Sequence, residues 1–136
     1  MFRRLDETIL VSGQIAPEDV PAAKAEGVRT IVNNRPDGEQ PGQPAGAAIE
    51  AAAQAAGLGY VHIPVDSSGL SRGHVDAMAA ALEQGPVLAF CRSGTRSTNL
   101  WAAARALAGD DPAGIAAKAA NAGYDVSGLV RQVTGG

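Results

Sequence analysis

Residues 87–90, Val-Leu-Ala-Phe, are wholly apolar and run without a break into Cys91-Arg92-Ser93-Gly94-Thr95-Arg96-Ser97. An apolar run with no alternation is the pattern of a strand covered on both faces. Such a strand needs a layer of structure on each side, and the flanking sequence supplies helices. Residues 8–12 (Thr-Ile-Leu-Val-Ser), 28–33 and 60–65 read as three further short strands. Between them, a helix opens between Pro17 and Pro21, with Glu18 and Asp19 suiting its positive end and Gly27 closing it. Ile49, Ala52, Ala53 and Ala56 recur at helical spacing up to Gly57, and Val75, Met78 and Leu82 make one face of a helix that stops at Gly85-Pro86. After the loop, Leu100, Ala104, Leu107 and Ala108 mark a helix running to Gly109. Asp111-Pro112 caps and opens another around Ile115 and Ala119, and a last short one holds Leu129 and Val133. The chain has 28 alanines among its 136 residues, which favours helices over an all-β fold. Strands alternating with helices predict an α/β layered domain over residues 1–136.

The segment between the buried strand and its helix is where chemistry concentrates. A strand, a loop with glycine at its middle and a helix form an anion cradle: successive N–H groups turn inward and the helix adds its positive end. Gly94 permits the backbone angles that such a curl demands. A cysteine at its base sits in a positive field that favours the thiolate. Arg96 at the far rim is placed to clamp an anion with two parallel hydrogen bonds. The hydroxyl of Ser97 is expected to donate to the sulfur, and Arg92, Ser93 and Thr95 complete the loop as anion-binding candidates.

Charge and cysteine count exclude other classes. Fourteen acidic and 11 basic side chains leave a net charge of −3, unsuited to non-specific nucleic-acid binding or polybasic membrane attachment. No apolar run approaches the ~20 residues of a membrane span. The opening Met1-Phe2-Arg3-Arg4-Leu5-Asp6-Glu7 starts like a signal peptide but lacks the apolar stretch, so the cytoplasm is the expected compartment. One cysteine and two histidines neither make an internal disulfide nor suffice for a structural zinc site, and no metal or cofactor is expected.

The loop resembles the cysteine loop shared by rhodanese sulfurtransferases and cysteine-dependent phosphatases. The wider chain is similar to the DUF442 family, the phosphatase-like domain named after beta-lactamase hydrolase-like proteins. The matching stretches are Ser12-Gly13-Gln14-Ile15, Asn33-Asn34-Arg35-Pro36-Asp37-Gly38-Glu39, His62-Ile63-Pro64-Val65-Asp66 and Cys91 to Ser97. The resemblance implies the cysteine-dependent, dual-specificity phosphatase-like fold, with a short central sheet of four to five strands flanked by helices. Members of the family have been labelled both sulfurtransferase and phosphatase, and some are fused to a metallohydrolase-like domain linked to persulfide oxidation.

Four residues separate Cys91 from Arg96, a C-x4-R spacing, and Phe90 precedes the cysteine. Tyrosine and dual-specificity phosphatases are similar in loop type but use C-x5-R, usually after histidine, whereas rhodanese-like loops have the shorter spacing. A tighter ring of donors seats three phosphoryl oxygens less easily than one extra sulfur. Expelling a phenolate of pKa about 10 also calls for a general acid, which release of sulfite does not. These considerations rank sulfur transfer first. Cys91 would take sulfane sulfur from thiosulfate or a persulfide, a small anionic donor, and pass it from a Cys91 persulfide to an acceptor thiol. A functional link to a persulfide-oxidising metallohydrolase-like enzyme follows from the resemblance.

Phosphate ester hydrolysis through a phosphocysteine ranks second. Asp66 follows the third strand where the similar phosphatases place their general acid; its other reading is a turn cap for Ser67 and Ser68. Arg35 adds a second positive group at the pocket mouth or is a solvated loop arginine. Arg72 and His74 open a helix at its electrostatically unfavourable end, a hint of ligand contact. His62 reads as structural and Trp101 as core. A third class, a module that reads a sulfated, phosphorylated or persulfidated partner without turnover, is disfavoured because such a reader needs no thiol.

Overall fold

The structure is a computed structural model and describes residues 2–135. The apolar strand Val87–Phe90, β5, lies at the centre of a five-stranded sheet ordered β1-β2-β5-β3-β4. Its neighbours β2 (Ile9–Ser12) and β3 (Thr30–Asn33) both run parallel to it, with Ser12 and Asn33 level with Phe90. β4 (Gly59–His62) adds a parallel edge beside β3, and β1 (Arg3–Asp6) an antiparallel edge beside β2. Six helices flank the sheet: α1 (Val20–Ala25), α2 (Gly46–Ala55), α3 (Arg72–Leu82), α4 (Thr95–Leu107), α5 (Pro112–Asn121) and α6 (Ser127–Thr134).

Side-chain alternation in the strands sorts the core into two layers. Leu10, Ile31, Leu88 and Phe90 point to one face and pack with Val20, Ala23, Ile49 and Ala53 of α1 and α2. Val11, Val32, Val87 and Ala89 point to the other, against Val75 and Met78 of α3, Leu100 and Trp101 of α4, Ile115 of α5 and Val130 of α6. All four residues of β5 are buried, as a strand clothed on both sides requires. The expected α/β architecture is therefore the one observed.

Local differences have local causes. β1 falls where only a charged opening was read: Leu5 is its buried residue, and Arg3 and Arg4 face solvent, which gives a short polar edge strand no periodic signature. Thr8 belongs to the β1–β2 turn, its N–H and hydroxyl both held by Asp6 Oδ1 at 2.7 and 2.6 Å. The third predicted strand ends at His62 because Pro64 has no N–H to give, although Ile63 and Val65 still donate to the carbonyls of Asn33 and Asn34. The helix expected at Pro17 begins as a 3-10 turn over Pro17–Asp19 before α1. α5 opens as expected, with Asp111 Oδ2 accepting the Gly114 N–H at 3.2 Å. Among the described residues no helix is long and apolar enough to cross a membrane.

Candidate active site

Because β2, β3, β4 and β5 are parallel, their carboxyl ends meet on one edge, and the chain leaves each through a segment quoted above for its motif. The ladder carries on past the strand ends. Cys91 N–H donates to Ser12 O at 3.3 Å, Asn34 N–H to Phe90 O at 2.8 Å and Gln14 N–H to Arg92 O at 3.3 Å. Gly13 allows this last approach, since a Cβ there would lie 3.0 Å from the Arg92 carbonyl oxygen.

Cys91 heads a loop that curls back on its own sulfur. Gly94, with φ of +91°, turns the chain into α4, and its N–H donates to Cys91 Sγ at 3.1 Å. Cys91 has no solvent exposure, and burial alone would push its thiol up. The backbone N–H groups of Ser97, Ser93, Gly94 and Arg96 outweigh that effect and hold the thiol below its ordinary value. The C-x4-R loop is thus long enough to turn the Gly94 N–H onto the sulfur.

Ser97 corrects one expectation. Its buried hydroxyl donates to Asn34 Oδ1 at 2.8 Å, not to the sulfur, and Asn34 Nδ2 donates in turn to Ile63 O at 3.0 Å. Its N–H is among those that lower the Cys91 pKa, and its side chain ties α4 to the ends of β3 and β4. Ser93 and Thr95 share a hydroxyl contact of 3.1 Å at the surface, and Thr98 returns to the carbonyl of Gly94 at 2.8 Å.

Arg96 is held by a residue that the sequence left without a role. Its Nη1 donates to Glu39 Oε2 at 2.8 Å and to Val65 O at 2.7 Å, and its Nη2 to Glu39 Oε1 at 2.9 Å. Of the five guanidinium hydrogens this leaves Nε–H and one on Nη2, the parallel pair on the side edge. The Glu39 hydrogen bonds, less an opposing contribution from burial, and then the Cys91 charge keep Arg96 above its ordinary pKa. Glu39 is held at about 2, against an ordinary 4.5, first by Arg96 and then, offsetting burial, by Arg35.

Arg35 is not a solvated loop residue: it is only 3% exposed. Its Nε donates to Glu39 at 2.7 Å, its Nη1 to Gln14 Oε1 at 3.0 Å and its Nη2 to Gln40 Oε1 at 3.0 Å. The segment carrying Glu39 is braced further. Asp37 accepts the Gly46 N–H, Gln43 accepts the Glu39 N–H, and His62 Nε2 meets Arg35 O at 3.1 Å. Arg35, Glu39, Gln40, Arg92 and Arg96 line a cavity of about 310 Å³ beside the loop, where three guanidiniums face one carboxylate. The charge on this lining is net positive.

Asp66 takes the turn-cap reading. Its Oδ1 accepts the Ser68 N–H at 2.9 Å and the Ser68 hydroxyl at 2.5 Å, and these bonds hold the exposed carboxyl below its usual value. An ionised, tethered carboxylate is a poor proton donor. Arg72 and His74 each have a partner within their own helix turn. Arg72 pairs with Asp76 at 3.0 Å, and His74 closes a capping box with Ser71, Nδ1 taking the place of the usual glutamate oxygen. Trp101 is fully buried in the core.

The family described as the phosphatase-like domain of beta-lactamase hydrolase-like protein matches residues 1–108. The beta-lactamase hydrolase-like protein of Agrobacterium fabrum is 38% identical over 108 residues, 78% of this chain and 25% of that one. The Xylella fastidiosa protein of the same name is 37% identical over 107 residues, 77% of this chain and 25% of its own. The chain thus spans about a quarter of the length of these curated relatives. A candidate phosphatase of Neisseria meningitidis superposes with a TM-score of 0.83 at 32% identity, covering 98% of this chain and 96% of that one. The structure of PTPMT1 shares the fold, with a TM-score of 0.73 at 16% identity over 99% of this chain and 94% of that one. Sequence and fold therefore agree that the chain belongs to the family of the beta-lactamase hydrolase-like protein phosphatase-like domain.

Proposed function

We propose that this domain is a cysteine-dependent phosphatase. The observation that carries the reading is a loop curled on the Cys91 sulfur, with the Gly94 N–H donated to it at 3.1 Å, and the Arg96 guanidinium that Glu39 and Val65 hold by its two Nη atoms. The Cys91 thiolate attacks the phosphorus of a phosphomonoester, an S–P bond forms and the ester P–O bond breaks. The leaving oxygen takes a proton from solvent. Water then cleaves the S–P bond, releasing inorganic phosphate and restoring the thiolate. The loop amides and Arg96 stabilise the charge that grows on the equatorial oxygens. Because Asp66 is tied down as a turn cap, the best substrates are those whose leaving groups need little protonation, nitrophenyl and other acidic aryl phosphates ahead of phenyl and alkyl ones.

The relatives favour this reading over sulfur transfer, which the loop spacing ranked first and which none of them supports. One feature keeps sulfur transfer as the second reading: Asp66 is no poised acid, and transfer from thiosulfate needs none. In that case a small anionic sulfur donor and an acceptor thiol are the partners. A reducing cytoplasm, where a lone thiol stays free, suits either chemistry.

Turnover of p-nitrophenyl phosphate by the protein and its Cys91→Ser variant decides between them, with intact-mass spectrometry after thiosulfate as the second arm. Steady nitrophenol release that Cys91→Ser abolishes is expected. No release, together with a one-sulfur mass gain that a thiol removes, overturns the phosphatase reading in favour of sulfur transfer.

A further inference from the structure

The segment after α5 reaches the cysteine loop through one side chain. Gly123, with φ of +96°, ends α5, and Tyr124 N–H closes the turn on Ala119 O at 2.9 Å. The ring is half-buried against the core, with the Arg3 guanidinium 5.6 Å from its centroid. Arg3 is fixed in turn by a 2.8 Å bond to Ala122 O. Thus placed, the Tyr124 hydroxyl donates to Ser93 O at 3.0 Å and closes over Gly94, where a Cβ would collide with it.

Ser93 O and the Gly94 N–H belong to one planar peptide and point in opposite directions. Tyr124 grips the oxygen, and the Cys91 sulfur receives the N–H at 3.1 Å. Flipping this peptide changes ψ of Ser93 and φ of Gly94, and glycine populates both signs of φ, so sterics alone do not lock it. A flipped peptide would aim a carbonyl oxygen at the thiolate and take the Gly94 N–H away from it.

We propose that Tyr124 is a positioning residue for Cys91, pinning the Ser93–Gly94 peptide with its N–H on the sulfur. The residue lies beyond residues 1–108 that the family model matches. Burial first, and the Cys91 charge after it, keep the phenol above its ordinary pKa in spite of Arg3, and it remains a donor at neutral pH. The other charged group coupled to the sulfur is Arg96 of α4, itself held by Glu39. Arg92 is exposed at the rim, and β2 and β3 bring the uncharged Ser12 and Asn34 alongside.

The inference rests on Cys91 being the reactive thiol, and its test reads the thiol without any turnover. Cys91 is the chain's sole cysteine, so iodoacetamide alkylation followed by intact mass from pH 5 to 10 reports its titration directly. Tyr124→Phe keeps the ring, the packing and the Arg3 contact and removes only the hydroxyl. The expected result is an upward shift of the Cys91 pKa by roughly 0.5–1. Alkylation at pH 6 then slows about 3–10-fold and rejoins the unsubstituted protein at high pH, with an unchanged melting temperature. An unshifted profile overturns the proposal, as does slowing by the same factor at every pH. Loss of phosphatase turnover in the unsubstituted protein would overturn the phosphatase reading alone.

Discussion

Glu39 holds Arg96 in one of two senses, and replacing it tells which. If the carboxylate orients the guanidinium, its removal weakens anion capture; if it occupies the anion's place, removal strengthens it. Donor counting favours orientation. Glu39 and Val65 take three of the five guanidinium hydrogens, all from the two Nη atoms, and leave the side edge that a phosphoryl group needs. In Glu39→Ala, Arg96 keeps the Val65 carbonyl and loses both carboxylate bonds, so it must surrender rotamer freedom each time a substrate binds. Full immobilisation of an arginine costs about 2 kcal/mol. With one anchor left, roughly 1–2 kcal/mol is the expected penalty, a 5–30-fold fall in kcat/KM. Glu39→Gln should fall between. Its carbonyl oxygen still accepts from Arg35 Nε and Arg96 Nη2, but its amide nitrogen faces the Arg96 Nη1 donor. Initial rates with p-nitrophenyl phosphate measure the effect, and comparing Cys91 alkylation by iodoacetate and by neutral iodoacetamide isolates it. The anionic reagent should lose its advantage while the neutral one reacts as before. Equal or faster turnover in Glu39→Ala would show that the carboxylate competes with substrate, and the orientation argument would fail.

Glu39 also sets a pH window for stability. Its folded pKa of about 2 lies below the ordinary 4.5, so its contribution is full above about 4.5 and lost as pH falls toward 2. Urea midpoints should be flat from pH 7 to 5 and decline below that, less steeply in Glu39→Gln; equal slopes would remove the ion pair from the account. Ser97→Ala should lower stability by about 1–2 kcal/mol, because Asn34 Oδ1 loses its buried donor, yet leave the Cys91 alkylation profile in place. A raised thiol pKa in that variant would return the hydroxyl to the sulfur. Asp66→Asn should cut p-nitrophenyl phosphate turnover less than about tenfold, since the native carboxylate caps a turn that asparagine also caps. A loss of roughly 10²-fold or more, the weight of a general acid, would mean that the carboxylate leaves Ser68 during turnover. Ser12→Ala removes a hydroxyl that is buried without a partner, and a neutral or slightly stabilising change in melting temperature is expected; a clear loss of stability contradicts it.

These variants divide between residues that sequence could assign and residues that it could not, and the division follows the physics. Cys91, Gly94 and the amides around them were legible because the cradle is local: consecutive residues supply it, their donors are backbone groups, and the apolar strand before them fixes where it sits. The partner of the Ser97 hydroxyl is not legible in this way, since only the fold brings Asn34 within its reach. Arg35 and Glu39 sit at the i,i+4 spacing of a helical ion pair, but in a turn-rich segment that spacing carries no such meaning. Asp66 had two readings that differ in where a loop lies over a pocket, and a sequence contains no such distance.

Tyr124 marks where the local reading stops. Nothing in Gly123-Tyr124-Asp125 signals a partner in a loop thirty-one residues earlier, and Tyr124 reaches Ser93 only because α5 and α6 fold back over α4. The same holds for Gln14, Glu39 and Val65, which converge because four parallel strands end together. The spatial convergence of these segments therefore depends on β5 being central and parallel to both neighbours. That condition rests on four consecutive apolar residues. Placing a charge at Leu88 or Ala89 would, on this reasoning, loosen every contact to Arg96 at once, although both residues lie inside β5 and neither is among that arginine's hydrogen-bond partners.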